Sequence, residues 1–414
     1  MGVQIDDFSL LDPMVQSNPR PFYALLHEQR PVYRMPETGM FVVSRYEDVR
    51  AVLRDTVSFS SNTDVSTGIN GASYHVHEAV LAERGWSHVQ TLQRTDPPEH
   101  GRYRRLLDQV FNIHLVRNLE PHIAEVANSL IDSFIARGTG EFVSEFALPL
   151  PGIIIAEQLG LDRDRVPTFK SWADAILAPA MVPMNEAELR ATAEIELEMQ
   201  HFLADMFESR RREPKPDIIS ALVNARIEGE APLSMHELQN LMHQLISGGY
   251  DTTISALANG LWLLLRFPEQ LEKLRARPEL IKGFVEEALR YESPVQGLVR
   301  RATRDVELHG CVIPRESVVI VRYGAANHDP AKFPCPHQFD IERKNASAHM
   351  AFGNGVHFCV GQLLAKQELV TGFGILLDRL ADIELAAPLP DPPHHPSLLL
   401  HPMKELQIRF RAAR

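Results

Sequence analysis

The chain is poor in cysteine. Only Cys311, Cys335 and Cys359 occur among 414 residues. An odd, sparse set is no disulfide framework and suits a reducing cytoplasm. It also excludes a four-cysteine zinc or iron–sulfur centre. Long apolar runs are missing too. None approaches the ~20 residues that cross a bilayer, so no membrane anchor is expected. The first residues, MGVQIDDFSLLDP, lack the basic and apolar stretches of a signal peptide. Positive charge is in deficit: a formal net charge of −12 offers no basic stripe for a nucleic acid. Repeats, low-complexity tracts and Gly/Ser linkers are absent, so one undivided domain over residues 1–414 is expected.

What is present suits a soluble globular protein. Hydrophobic residues make up 44% and charged residues 23%, enough apolar material for a sizeable core. Most of the middle has helical period. The clearest run starts at SMHELQNLMHQLISGGYDTTISALANGLWLLLRFP. Ser234 and Glu237 form a capping box, Leu238, Leu241, Met242 and Leu245 share a face, and Pro268 ends the run. About 32 residues at ~1.5 Å each predict a long central helix of ~48 Å. Its weak point is Gly248-Gly249, where each glycine costs about 1 kcal/mol against alanine. Strands are expected at 40–44, around 298–320 and at 397–410. The fold class is therefore α+β, mainly α, with a small β-rich region.

The segment AFGNGVHFCVG, residues 351–361, carries the strongest chemical signal. Gly353, Gly355 and Gly361 let the backbone turn with positive φ and come close to a ligand. A helix predicted from about Val360 puts Cys359 near the positive end of its dipole, which favours the thiolate. Three fates are open from the loop alone. Cys359 is a buried thiol in a turn, a nucleophile with His357 as its base, or a haem ligand, since porphyrin supplies four donors itself.

The run from Phe352 to Gly361 resembles the F-G-x-G-x-H-x-C-x-G signature of the cytochrome P-450 family of haem-thiolate monooxygenases. The resemblance extends from about residue 10 to the end. Glu287-x-x-Arg290, in VEEALRYESP, reads alone as an exposed helical pair. The resemblance instead implies a buried pair that supports the haem loop with Arg343 of QFDIER. His100-x-x-x-Arg104, read alone, is a solvated basic face. The resemblance gives both residues, with Arg300 and His357, to the haem propionates. Gly248-Gly249-Tyr250-Asp251-Thr252 resembles the family's A/G-G-x-D/E-T. It implies that Asp251 and Thr252 relay protons to the reacting oxygen. One departure is His328, in ANHD, where the family has A-N-R-D. Another is the bulk of Tyr250.

The resemblance implies a single cytochrome P-450 domain with haem b bound by Cys359. It implies insertion of one oxygen atom from O2 into a hydrophobic substrate, by hydroxylation or epoxidation. Electrons from NAD(P)H are expected through a separate ferredoxin and ferredoxin reductase, with the protein a cytoplasmic monomer. Arg102 and Arg105 are candidates for docking the acidic ferredoxin. Substrate-facing residues are expected at Gln244, Leu245, Gly248, Val295, Gln296, Val299 and Leu398, and in the loop 62–95, which should be mobile. Few polar fixtures favour a small-to-medium terpenoid or aromatic hydrocarbon. Steroid or fatty-acid hydroxylation, a non-catalytic haem binder and a cysteine hydrolase are the alternatives.

Overall fold

The computed structural model describes residues 4–63, 70–181, 183–389 and 393–413. The chain forms two compact units. One comprises Met1–Ser60, Arg117–Leu150 and Asp251–Arg414, and the other Ser61–Val116 and Pro151–Tyr250.

The first unit carries the strands β1 (Val32–Arg34), β2 (Phe41–Val43), β3 (Phe59–Ser60), β4 (Thr139–Glu141) and β5 (Leu298–Ala302). It also carries β6 (Val306–Leu308), β7 (Cys311–Ile313), β8 (Val318–Val321), β9 (Leu380–Leu385) and β10 (Gln407–Ala412). Five of them form one sheet in the order β1-β2-β8-β5-β3, in which β2 and β8 are parallel. Its central strands are buried on both faces, so their sequences are continuously apolar rather than alternating. Val43, Val319 and Val321 pack on one side with Phe59, Tyr323, Phe333 and Met350. Val42 and Ile320, one residue out of phase, pack on the other with Phe22, Tyr23 and Tyr33. Helices Asp251–Arg266, Ile281–Tyr291 and Gln362–Arg379 belong to this unit.

The second unit is helical. It contains His75–Arg84, Glu99–Val110, Glu186–Arg212 and Met235–Gly249. Helix Glu186–Arg212 opens with a capping box between Asn185 and Glu188 and closes on three arginines, both favourable to its dipole.

Several expectations need correction. The long central helix is two helices: one ends at Gly249, Tyr250 departs to φ −90° and ψ −75°, and the next begins at Asp251. Two consecutive glycines lower the cost of that break. The Tyr250 ring supplies an anchor at it, lying against Gly152 and edge-on to Phe169 at 5.5 Å between centroids. The bulk of Tyr250 is thereby explained. The stretch 62–95 is not all loop, since it holds helix His75–Arg84; its Gly68 lies outside the described residues. The expected strand 397–410 is replaced by a shorter, later one, Gln407–Ala412, and its partner Leu380–Leu385 was not anticipated.

Candidate functional site

The cysteine loop is held from below by buried charge. Helix Ile281–Tyr291 brings Glu287 and Arg290 inside, both 0% exposed, where the exposed-pair reading put them in solvent. Arg290 grips the carboxylate with two parallel bonds, Nε to Oε2 at 2.7 Å and Nη2 to Oε1 at 2.9 Å. Arg343 Nε donates to Oε1 at 3.1 Å. The remaining guanidinium donors run to backbone. Arg290 Nη1 reaches the Asn327 and Pro336 carbonyls, and Arg343 reaches those of Pro334, Cys335 and Gln338. Asn327 Oδ1 then accepts from the Met350 amide at 2.6 Å, which starts the cysteine loop. The helical period missed this burial because the helix packs on more than its main apolar face. His328 next door donates from Nδ1 to the Gly324 carbonyl at 3.0 Å. It is held neutral, its pKa pushed down to about 3 by burial and then by Arg290. An arginine there would add a further buried cation beside Arg290.

Within the loop, the Cys359 amide donates to the Phe352 carbonyl at 3.0 Å, folding the segment into a tight turn. Gly355 has φ +74°, and a Cβ there would stand 2.6 Å from the Leu53 carbonyl oxygen, so only glycine fits. Gly353 also has positive φ, whereas Gly361 does not. A Cβ on Gly361 would meet no protein atom within 4 Å, so the protein's own packing does not require glycine there. The helix after the loop starts at Gln362, with Gly361 as its N-cap, slightly later than expected. Cys359 is half-buried, while Val356, Phe358 and Leu363 beside it expose apolar surface.

Arg300 tests whether the chain fits haem. It sits on β5, 6% exposed, and its Nη1 donates to the Val299 carbonyl at 2.8 Å. It also bonds the Tyr323 phenol, whose pKa burial raises and Arg300 partly restores. The Tyr323 oxygen lies 3.6 Å from a Cβ position on Gly353, linking Arg300 to the cysteine loop. Among the described residues Arg300 has no carboxylate partner. A buried guanidinium is costly without an anion, and a propionate supplies one. A cysteine in a glycine-rich turn, a glycine not demanded by packing and a buried guanidinium beside the loop suit haem together.

The other expected residues fall as follows. His100 is buried on helix Glu99–Val110, its pKa lowered by burial and then by Arg104. Arg104 Nε bonds Asp108 at 2.9 Å. His357 ends a short 3-10 turn that starts at Gly355. Asp251 and Thr252 are half-buried in the first turn of helix Asp251–Arg266. Leu245 is half-buried and Gly248 exposed.

The residues expected around the pocket also have internal partners. Gln296 spends its amide on the Tyr23 hydroxyl and, at 2.7 Å, on the Ser293 carbonyl. Gln244 bonds Thr91 Oγ1 at 2.9 Å and the Gln93 amide at 3.1 Å. Val299 and Leu398 pack on the Phe22–Tyr23 core and Val295 on the opposite one. Strand alternation could have shown this: Leu298, not Val299, shares the face of Arg300. Arg102 and Arg105 are also committed, to Glu230 and Glu237, so they form no free basic patch.

Residues 164–410 match the family model described as Cytochrome P450. The chain belongs to the cytochrome P450 family. It is 34% identical over 414 residues to cytochrome P450 monooxygenase PikC of Streptomyces venezuelae, covering 99% of this chain and 95% of that protein. It is 33% identical over 390 residues to 6-deoxyerythronolide B hydroxylase of Saccharopolyspora erythraea, covering 94% and 95% respectively. The solved structure of cytochrome P450 CYP109Q5 from Chondromyces apiculatus superposes with a TM-score of 0.84 at 33% identity, covering 98% of each chain. The protein is therefore a haem-dependent P450 monooxygenase, using haem b, O2 and electrons from redox partners. No helix among the described residues is long and apolar enough to cross a membrane.

Proposed function

We propose that this P450 hydroxylates or epoxidises a compact hydrophobic molecule of the terpenoid or aromatic hydrocarbon class. One oxygen atom of O2 enters the substrate, and the other leaves as water with two electrons and two protons. Relatives named as a hydroxylase and as a hydroxylase/epoxidase, the latter from Micromonospora griseorubida, support that pair of reactions. The commitment of Gln244 and Gln296 to internal bonds supports an apolar substrate, since it removes the two amides that would have fixed polar groups. Leu245, Gly248 and, in place of Val299, Leu298 are the proposed substrate-facing residues.

The carrying observation is the half-buried Cys359 on a loop whose neighbour Arg300 is a buried cation without a carboxylate partner among the described residues. Cys359 is the proposed iron ligand, with Gly353 and Gly361 admitting the porphyrin edge. His100, Arg104, Arg300 and His357 are the proposed donors to the propionates. Glu287, Arg290 and Arg343 hold the loop. Haem bound through a thiolate supplies cleavage of the O–O bond. The Asp251 carboxyl and Thr252 hydroxyl deliver the protons, and a ferredoxin with its reductase delivers the electrons. The whole chain acts as one monomeric cytoplasmic P450 domain.

The test is spectral titration of purified protein with terpenes, aromatics, fatty acids and steroids. A high-spin shift with the first two groups is expected, and one confined to the last two overturns the substrate class. Cys359→Ser should abolish the red-shifted band of the reduced carbon-monoxide complex. Asp251→Asn should keep that band and lower turnover by about 100-fold or more; unchanged turnover removes Asp251 from the relay.

A further inference from the structure

The second unit holds three imidazoles and two carboxylates that no part of the P450 reaction uses. His77 and Glu78 stand on helix His75–Arg84, and His88 just beyond its end. Glu196 comes from helix Glu186–Arg212 and His243 from helix Met235–Gly249. His88 Nε2 lies 2.9 Å and His243 Nδ1 3.0 Å from Glu196 Oε1. His77 Nε2 lies 3.3 Å from Glu196 Oε2. Glu78 Oε1 meets the other nitrogen of His88, Nδ1, at 2.5 Å.

We propose that this cluster is a binding site for one divalent transition-metal ion, Zn2+ by its donor set. The ligands are His88 Nε2, His243 Nδ1 and Glu196 Oε1, which leave a fourth position for water, while His77 backs the second carboxylate oxygen. Zn–N and Zn–O bonds of 2.0–2.1 Å give a tetrahedron with edges of about 3.3 Å. The separations of 2.9 and 3.0 Å from Glu196 Oε1 to the two imidazoles are close to that edge, and the three donor atoms all lie within 4.8 Å of one another. Imidazole with carboxylate is borderline in softness, which suits Zn2+ and disfavours Ca2+ and Mg2+.

Two further features point the same way. A metal-bound imidazole almost always donates its second N–H to a carboxylate or carbonyl, which fixes its tautomer. Glu78 stands where His88 needs that acceptor. The second feature is unmet demand. His77 is fully buried; its Nδ1 has no hydrogen-bond partner, and its Nε2 meets Glu196 Oε2 only as an ion-pair contact at 3.3 Å that is not a hydrogen bond. A protonated His88 bridging Glu78 and Glu196 would account for those three groups alone. A cation on Oε1 takes His88 and His243 as neutral ligands, leaves Oε2 to His77, and its double charge offsets both carboxylates.

The site would tie the segment around residues 75–88 to two long helices. Gly85 permits the approach, since a Cβ there would stand 2.5 Å from Gln200 Oε1 and 2.6 Å from Leu197 Cδ1. Order in this segment, which the sequence assigned to substrate, would then depend on the cation.

The test uses haem-loaded protein stripped by chelator, dialysed, and titrated with ZnCl2 by calorimetry, with zinc and iron counted by mass spectrometry. One tight Zn2+ per haem iron is expected, with a rise in thermal midpoint on loading. Glu78→Gln should weaken binding by about 10–100-fold. His243→Gln and Glu196→Gln should abolish the tight equivalent while leaving the reduced carbon-monoxide band intact. Should Glu196→Gln fail to fold, His243→Gln carries the reading, because His243 is partly exposed. No tight Zn2+ in the wild type, or equal Zn2+ in wild type and His243→Gln, overturns the site.

Discussion

Glu287 and Glu196 are both carboxylates sealed from solvent, at 0% and 1% exposure, and their surroundings differ in kind. Glu287 faces two guanidiniums, accepts from the Asp340 amide at 3.1 Å, and sits in a network whose arginines end on backbone carbonyls. Every strong partner there is permanently charged or is main chain. Glu196 faces imidazoles alone, and the network closes poorly: its Oε2 meets His77 Nε2 only at 3.3 Å without a hydrogen bond, and His77 Nδ1 has no hydrogen-bond partner. A buried polar network that closes on itself rigidifies the fold, while one that does not close is costly unless something else completes it. The first describes a strut under the cysteine loop and the second a receptor.

The largest effect should follow from opening the closed network. Arg290→Ala leaves Glu287 buried with only Arg343 and frees the Asn327 and Pro336 carbonyls. Removing one partner of a buried pair costs about 3–5 kcal/mol. The denaturation midpoint should fall accordingly, with haem lost earlier on heating. A midpoint within error of wild type would mean that the strut holds nothing.

A third buried carboxyl, Glu368, sharpens the contrast, because among the described residues no cation pairs with it. Burial alone pushes Glu368 up to about 8. A folded-state value above the unfolded one means that the folded chain keeps a proton which the unfolded chain releases. Stability from this group is therefore full below about pH 4.5 and lost as pH rises towards about 8. Glu368→Gln removes that loss. The variant should match wild type near pH 4.5 and exceed it by up to about 4 kcal/mol near pH 8. A gain that does not grow with pH would show that Glu368 is paired.

How far the sequence revealed these regions depends on the distance over which each is encoded. The cysteine loop was legible because its chemistry lies within eleven consecutive residues, 351–361. The Glu287–Arg290 pair was half legible: spacing identified the partners, but burial is decided by helices and loops that pack later from distant sequence. The break at Tyr250 was visible as a weak glycine pair, yet its cause, the packing of the ring on Gly152 and Phe169, is tertiary. Gln244 and Gln296 were ambiguous in the sequence, because a polar residue among apolar ones reads equally as a substrate contact or as an internal tie. The imidazole cluster had no signature, since its members come from three separated stretches and no ligand spacing repeats.

The smallest effect should come from His243→Gln in chelator. In the closed network every donor is needed, whereas Glu196 keeps its bond from His88 when His243 is removed. The ring of His243 is also partly in water and loses little on replacement. The cost should therefore stay within about 1 kcal/mol. With Zn2+ added at about a hundred times its dissociation constant, the wild type should gain about 2.7 kcal/mol by mass action. The variant should gain much less, so the gap between the two midpoints widens with zinc. Had the cluster been a strut like that of Glu287, the gap would be large in chelator and indifferent to zinc. The zinc dependence of the gap, rather than its size, therefore separates an open network from a closed one.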